Sequence, residues 1–546
     1  MKRKRIFQPL KILFALTAAM LLTVGCANDN IHEQERDTKR LTEFVVEDNV
    51  DNNTKSTRTT GSYSGAGIDF YWTVGDQLWL YNDARPRNKW IKDTHNDIKA
   101  RISKTGTGAT KIAKASFFFD GIYTADSCKL RYTGKPGIDP DKITIKSEQK
   151  QTIPNDATHI GQDGDCGTAT AKKKGNHYVF SLDHQASYIT FLPFSTQNEL
   201  QEAVITEIKV SAEKAIAGTF SFGDKGIDLS SRPEFGEGSE TITLKLNETV
   251  YLPEQFITDD YKITSTPMPS KNAAIMVIAP GTYSTFTIEY RLFSKITKCQ
   301  GTITKIYNNV TFIPGKNKKV SANLQVPVYN FEYSMWDAED GQHYWKDHES
   351  SRPLVNGAKS EDYAKTLSDT RWYNQSVVFP GMAVRSSVNC PNANEISWYI
   401  VKGALFYDES LWATDGHLYA GGIWLKKLSV IATEQHTDIT NFQSKAPDGN
   451  DFRTTQSPNT GEIPIFWKKI SDTKRPAHLS DYFYLPFSGR YQNGKRLDCG
   501  SSGFYWSSTV GRPRGAEPAA CFLEIDESNL YLKRSNNEQG FRQWSK

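Results

Sequence analysis

The chain has 546 residues, 38% of them apolar and 23% charged, with 66 Lys and Arg against 62 Asp and Glu. That length exceeds what one core organises and fits about three domains at ~150 residues each. Five of the basic residues and none of the acidic ones lie in the first 25 positions, so the remainder carries a net charge of −1. No domain-wide basic excess is left, which argues against nucleic acid as a partner.

Lys2, Arg3, Lys4, Arg5 and Lys11 precede an uncharged apolar run over residues 12–24. The run suits the hydrophobic region of an export signal and is shorter than the ~20 apolar residues of a membrane span. It ends in "LTVGC" at Cys26. This ending resembles a lipobox, with Thr23 in place of the usual leucine. The resemblance implies cleavage after Gly25 and diacylation of Cys26; the alternative is an ordinary signal peptide with an incidental cysteine. Residues 1–25 are therefore expected to be a lipoprotein signal peptide. Residues 26–40 are polar, charged and free of aromatics, and read as a tether.

"LTEFVV" (41–46) is the first expected strand, and the Asn-, Ser-, Thr- and Gly-rich stretch after it breaks all periodicity. "DFYWTVGDQLWLY" predicts a hairpin broken at Gly75-Asp76. Short strands with turn residues between them continue to Val326. Without long amphipathic helices, they predict two tandem antiparallel β-sandwiches, residues 41–190 and 191–327. Nine of the 12 tryptophans lie beyond Asn330. Ser360 and Asn394 are candidate helix caps there, with Gly403 as a stop, so residues 328–546 are expected to form a separate α+β domain. After Cys26, six widely spaced cysteines without a CxxC leave 15 disulfide pairings open, with buried free thiols as the alternative.

The lipobox, the tether, the first strand, Thr57-Arg58 and "WTVGDQLWLY" together resemble the start of a fimbrillin-family lipoprotein, a pilin of type V pili. "VFSLDHQASYITFLPF" and "FIPGKNKKVSANLQV" are similar to later strands of that family. The resemblance implies two fimbrillin-like sandwiches and an outer-membrane, lipid-anchored, surface-exposed protein of the fimbrium. It also implies proteolytic maturation after Arg58, with Arg36 and Arg40 as weaker candidates, and other fimbrillin subunits as partners through β-strand donation. "YFYLPFSGRYQNGKRLDCGSSGFYWSST" followed by "GFRQW" resembles the major paralogous (FISUMP-type) domain of bacterial surface proteins. That match implies a C-type-lectin-like fold. Tyr505 and Trp506 would lie on a strand, one ring buried and one at the rim, and with Arg490 they are the candidate contacts to a host glycan or protein ligand. The alternative places Trp506 in the core.

No Gly-x-Ser-x-Gly, phosphate-binding loop or HExxH occurs, so no enzyme, catalytic residue or cofactor is expected. "QDGDCG" (162–167) lacks the carboxylate that a calcium loop needs at its twelfth position, which is Lys174. His343 and His348 in "DAEDGQHYWKDHES" are five apart and do not share a helix face, and no metal site is assigned. The expected function is a non-enzymatic fimbrial adhesin or tip subunit. The alternative is a surface lipoprotein that captures nutrient glycans without polymerising.

Overall fold

The computed structural model describes residues 41–47, 60–246, 258–456, 467–470, 476–514 and 517–544, apart from positions 66, 107, 136, 237 and 477. The described chain is mainly β. Most strand neighbours are antiparallel. Parallel pairs join Leu41–Val46 to His177–Phe180, Ser187–Phe194 to Asn317–Asn323, and Glu148–Lys150 to Thr241–Lys245.

The first sheet runs from Trp90–Lys92 through Trp79–Tyr81, Ser127–Tyr132, Gly167–Lys174, His177–Phe180, Leu41–Val46 and Ser116–Asp120 to His95–Asn96. Its apolar face packs with Trp72, Leu78, Ile98 and Leu182 in one core. Ile68–Thr73 pairs instead with Thr60–Tyr63 and Lys111–Ile112. The break at Gly75-Asp76 is therefore a corner between sheets and not the expected hairpin. Asp76 makes the corner: it is fully buried and accepts from Thr73 N (2.7 Å) and the Tyr132 hydroxyl (3.0 Å).

The second core draws on a five-stranded sheet ordered Glu148–Lys150, Thr241–Lys245, Ala203–Ala212, Gly281–Ser294 and Gln300–Phe312. Ser187–Phe194, flanked by Ala274–Ile278 and Asn317–Asn323, supplies a further sheet. Strands from residues 142–150 pair with Gly218–Gly223 and Thr241–Lys245, so sheets draw on both halves of the sandwich region. Arg131, 7% exposed, holds the halves together. It pairs with Asp224 (2.6 Å) and Asp141 (2.5 Å) and lies 4.2 Å from the Trp90 ring centre.

Beyond Pro327, one sheet is ordered Tyr333–Ser334, Phe541–Arg542, Ser502–Arg514, Glu517–Asp526, Asn529–Asn536 and Trp467–Lys469. A second holds Phe406–Thr414, His417–Lys426 and Tyr482–Pro486. The helix Ala393–Lys402 packs with both in one core. Its cap is Asn392, not Asn394. The Asn392 side chain accepts from Asn394 N and Glu395 N, and the Glu395 carboxylate accepts from Asn392 N, a reciprocal capping box. Ser360 caps no helix, because the stretch after it forms turns with no continuous apolar face.

Candidate functional site

The strand Leu41–Val46 is an interior member of the first sheet, between His177–Phe180 on one side and Ser116–Asp120 on the other. Its alternation sends Thr42, Phe44 and Val46 inward. The Phe44 ring stacks on Tyr178 at 4.7 Å and meets the edge of Phe119 at 5.1 Å. Burying two such apolar side chains contributes roughly 1.5–3 kcal/mol each. Arg58, Arg36 and Arg40, and the lipidation candidate Cys26, lie outside the described residues.

In the C-terminal region the aromatic triplet is interior. Phe504 is 3% exposed, and Tyr505 and Trp506 are fully buried. Adjacent strand residues do point to opposite faces, but here both faces are covered. Trp506 and Phe504 face Phe541, at 4.3 and 5.3 Å, while Tyr505 meets Trp544 at 5.9 Å. The expectation that one ring reaches a rim is thus corrected: neither Tyr505 nor Trp506 is available to a ligand. The Trp506 Nε1–H donates to Ser334 O (2.8 Å), and the Trp544 Nε1–H donates to Trp506 O (2.8 Å).

The small polar frame is part of the same interior. The Ser507 hydroxyl donates to Pro391 O (2.9 Å), and Thr509 Oγ1 accepts from Ala393 N (2.9 Å), tying the strand to the start of the helix. Arg490 is only part-buried, its side chain 28% exposed, with its guanidinium 4.5 Å from the Phe504 ring centre and its Nε 3.1 Å from Asp498.

Two clusters were not assigned from the sequence. Asp165, His184 and Tyr188 converge beneath Phe70, which stacks on His184 at 4.0 Å. His184 Nδ1 lies 2.9 Å from Asp165 Oδ1, and the Tyr188 hydroxyl donates to the same oxygen. His184 Nε2 has no partner among the described residues. A hydrolytic triad would need a nucleophile at that nitrogen. The neighbouring Ser64 hydroxyl instead donates to Gly67 O (3.1 Å).

The other is a cleft of about 390 Å³ in the C-terminal region, lined by Glu339, Asp369, Trp372, Tyr373, Gln375 and Arg385 among others. The run "SDTRWYNQS" (368–376) mixes planar polar and aromatic residues and was the signal available in the sequence.

His343 lies 3.4 Å from Glu349, and Asp337 is occupied by backbone and side-chain donors. No group of three or more His, Cys, Asp or Glu able to hold a metal occurs among the described residues. The six described cysteines are free, and burial pushes the Cys299 thiol up to about 11 and the Cys521 thiol up to about 12. No described helix is long and apolar enough to cross a membrane.

No protein-family model matches the chain, and no curated protein matches it. Among solved structures, a candidate cell adhesion protein from Bacteroides ovatus is similar at 12% identity and a TM-score of 0.27, over 52% of this chain and 92% of that one. A candidate cell adhesion protein from Bacteroides eggerthii gives 11% identity and a TM-score of 0.27, over 52% and 86%. A fimbrial protein from Bacteroides ovatus gives 12% identity and a TM-score of 0.20, over 89% and 99%. At these scores the likeness carries no inference about this chain.

Proposed function

We propose that the protein is a non-enzymatic fimbrial subunit of the cell surface. In this reading Cys26 anchors it to the outer membrane, Arg58 is its maturation site, and the domain beyond Pro327, of the lectin-like class, is its adhesive end. The observation that carries the reading is the seat of Leu41–Val46. The strand is held inside the first sheet, and the only chain joining it to Thr60 is the stretch that contains Arg58. Cleavage at Arg58 would leave that strand bound only by its pairing and packing. Its departure would open a groove between Ser116–Asp120 and His177–Phe180 that a strand from another subunit can fill, a form of β-strand addition.

The far end of the chain bears on where such a subunit would sit. Phe541–Arg542 lies between Tyr333–Ser334 and Ser502–Arg514, and Phe541 is fully buried. A strand held this way is not itself free to be donated, and in this reading the subunit receives a strand at the tip of a filament. The same observation favours the second reading, a surface lipoprotein that captures glycans without polymerising.

N-terminal sequencing of protein recovered with sheared surface filaments separates the two. The first reading expects a start at Thr59 in filament-associated protein, and absence of the protein from sheared filaments defeats it. In either reading Cys26→Ala is expected to remove the uncleaved chain, which still carries position 26, from the outer-membrane fraction. Retention of that variant there, still labelled by fatty acid, defeats the anchor.

A further inference from the structure

We propose that the cleft formed by Glu339, residues 368–376 and Arg385 is a binding site for an uncharged glycan. The proposal rests on the adhesive reading for its biological meaning only, because sugar binding by the purified chain is measurable whether or not the chain enters a filament.

The cleft is built from beneath by one carboxylate. Asp337 is fully buried and holds a left-handed backbone with φ of 50°. Its carboxylate accepts from Asn374 Nδ2 (2.8 Å), Val384 N (3.0 Å), Arg385 N (2.7 Å) and Ser387 N (3.3 Å). A single side chain therefore fixes both loops that line the cleft. The base of the first loop is fixed again by Arg371, 5% exposed, whose guanidinium donates to both oxygens of Asp369 (2.9 and 2.7 Å) and to Asp362 O (2.9 Å). Asn374 Oδ1 accepts from Ser376 N (2.9 Å) and its hydroxyl (2.7 Å), which closes the turn. Such support is what holds binding groups in a fixed geometry before a ligand arrives.

The groups facing the opening have a particular chemistry. Trp372, half-buried, and Tyr373, buried in the core behind it, place their ring centres 5.0 Å apart at 37°, giving a bent apolar wall whose accessible part is Trp372. Trp372 Nε1 is sheltered beside the cleft and finds no acceptor among the described residues. Around the rings stand Ser368, Thr370 and Gln375, all exposed; Thr370 Oγ1 donates to Gln342 Oε1 (3.0 Å) and Gln375 Nε2 to the Tyr373 hydroxyl (3.2 Å), so these side chains offer chiefly acceptor oxygens at the mouth.

The charges cancel in pairs. Asp369 belongs to Arg371, and Glu339 lies 3.8 Å from Arg385. With its charges balanced, the cleft gives no net attraction to an ion of either sign, whereas a sugar uses both partners of the exposed Glu339–Arg385 pair as acceptor and donor. A pyranose has one apolar face and a rim of hydroxyls, which matches an aromatic wall with a neutral polar rim. A volume of about 390 Å³ is near the lower end of ligand clefts, ~300–1,000 Å³, and suits the terminal one or two sugars of a chain.

The test uses the purified full chain and two sets of probes. Lactose, N-acetyllactosamine, mannobiose, cellotetraose and 2′-fucosyllactose are the neutral set; 3′-sialyllactose and a heparin disaccharide are the charged set. Binding is read by saturation-transfer NMR and by tryptophan fluorescence. At least one neutral sugar is expected to bind. Trp372→Ala is expected to weaken it by about tenfold or more, as the loss of an aromatic anchor does. Gln375→Ala and Arg385→Ala alter rim groups and are expected to weaken it at an unchanged melting temperature, which keeps the test independent of folding. The proposal is overturned if no neutral sugar binds, if only the charged probes bind, or if binding survives all three substitutions. Loss of sugar binding leaves filament association untouched, and the reverse also holds, so each reading can fail alone.

Discussion

A buried polar side chain is informative when its partners can be counted. Asp337 has four donors, and the sequence showed it only as one acid among several. Tyr505 and Trp506 were visible as aromatics in a polar frame, and pattern alone could not tell that both faces of their strand are covered. The covering groups, Phe541 and Trp544, are 35 or more residues away in the chain.

His159 offers a titration test at this scale. Its Nε2 lies 2.9 Å from Ile275 O, its Nδ1 is buried without a partner, and burial lowers its pKa from 6.5 to about 4. Between those values the unfolded chain holds a proton that the fold does not. Stability is therefore fully present above pH 6.5 and lost as pH falls toward 4. Nearby Asp163 runs the other way. Burial raises its pKa from 3.8 to about 6 even with Lys146 Nζ 3.0 Å away, so its contribution is lost as pH rises through that range. Denaturant unfolding of wild type and His159→Gln at several pH values separates the two. Between pH 6.5 and 4 the wild type is expected to lose about 1–3 kcal/mol more than the variant. Parallel curves for the two proteins would show that His159 is not held neutral by the fold.

Among the elements, those with a clean period were legible. "LTEFVV" alternates in the sequence and in the structure, where Phe44 faces the core and Glu43 faces away. The helix Ala393–Lys402 was legible from its apolar spacing and from Gly403, and its start was misplaced by two residues because Asn392 and Asn394 both suit a cap. The Gly75-Asp76 corner was not legible, since turn residues mark a change of direction but not which sheet the next strand joins. Leu41–Val46 then gives a one-face test. Phe44→Ala is expected to cost about 3–5 kcal/mol, the range for emptying a packed aromatic site. Glu43→Ala, one residue away on the other face, is expected to stay within about 0.5 kcal/mol. Equal losses from the two substitutions would mean that the strand is not seated in the register given by Phe44 opposite Phe117.

Across the whole molecule, the composition shift near Pro327 pointed to a separate domain beyond it, and the sequence did not show that the two sides share a core. Leu411, Ala413, Leu418 and Ala420 belong to the same apolar cluster as the second sandwich. Ala413 N donates to Pro327 O (2.9 Å) and Tyr329 N to Ala413 O (2.8 Å), so the chain crosses the boundary as paired backbone. The Thr297 hydroxyl donates to Leu418 O (2.5 Å) from the other side. Cutting the chain at residue 327 would expose apolar surface on the sandwich, so a function lost in such a truncation could not be assigned to the part removed. A substitution at the seam tests the docking directly. A Cβ on Gly301 would come within 2.8 Å of both Glu409 O and Leu411 Cγ, and backbone cannot yield as a side-chain tip does. The second sandwich and the C-terminal domain of the wild type are expected to melt in one calorimetric transition, because a shared core couples them. Gly301→Leu is expected to split that transition in two while the glycan cleft, which Gly301 does not line, keeps its affinity. An unchanged single transition in the variant would mean that the seam contributes nothing to the stability of either side.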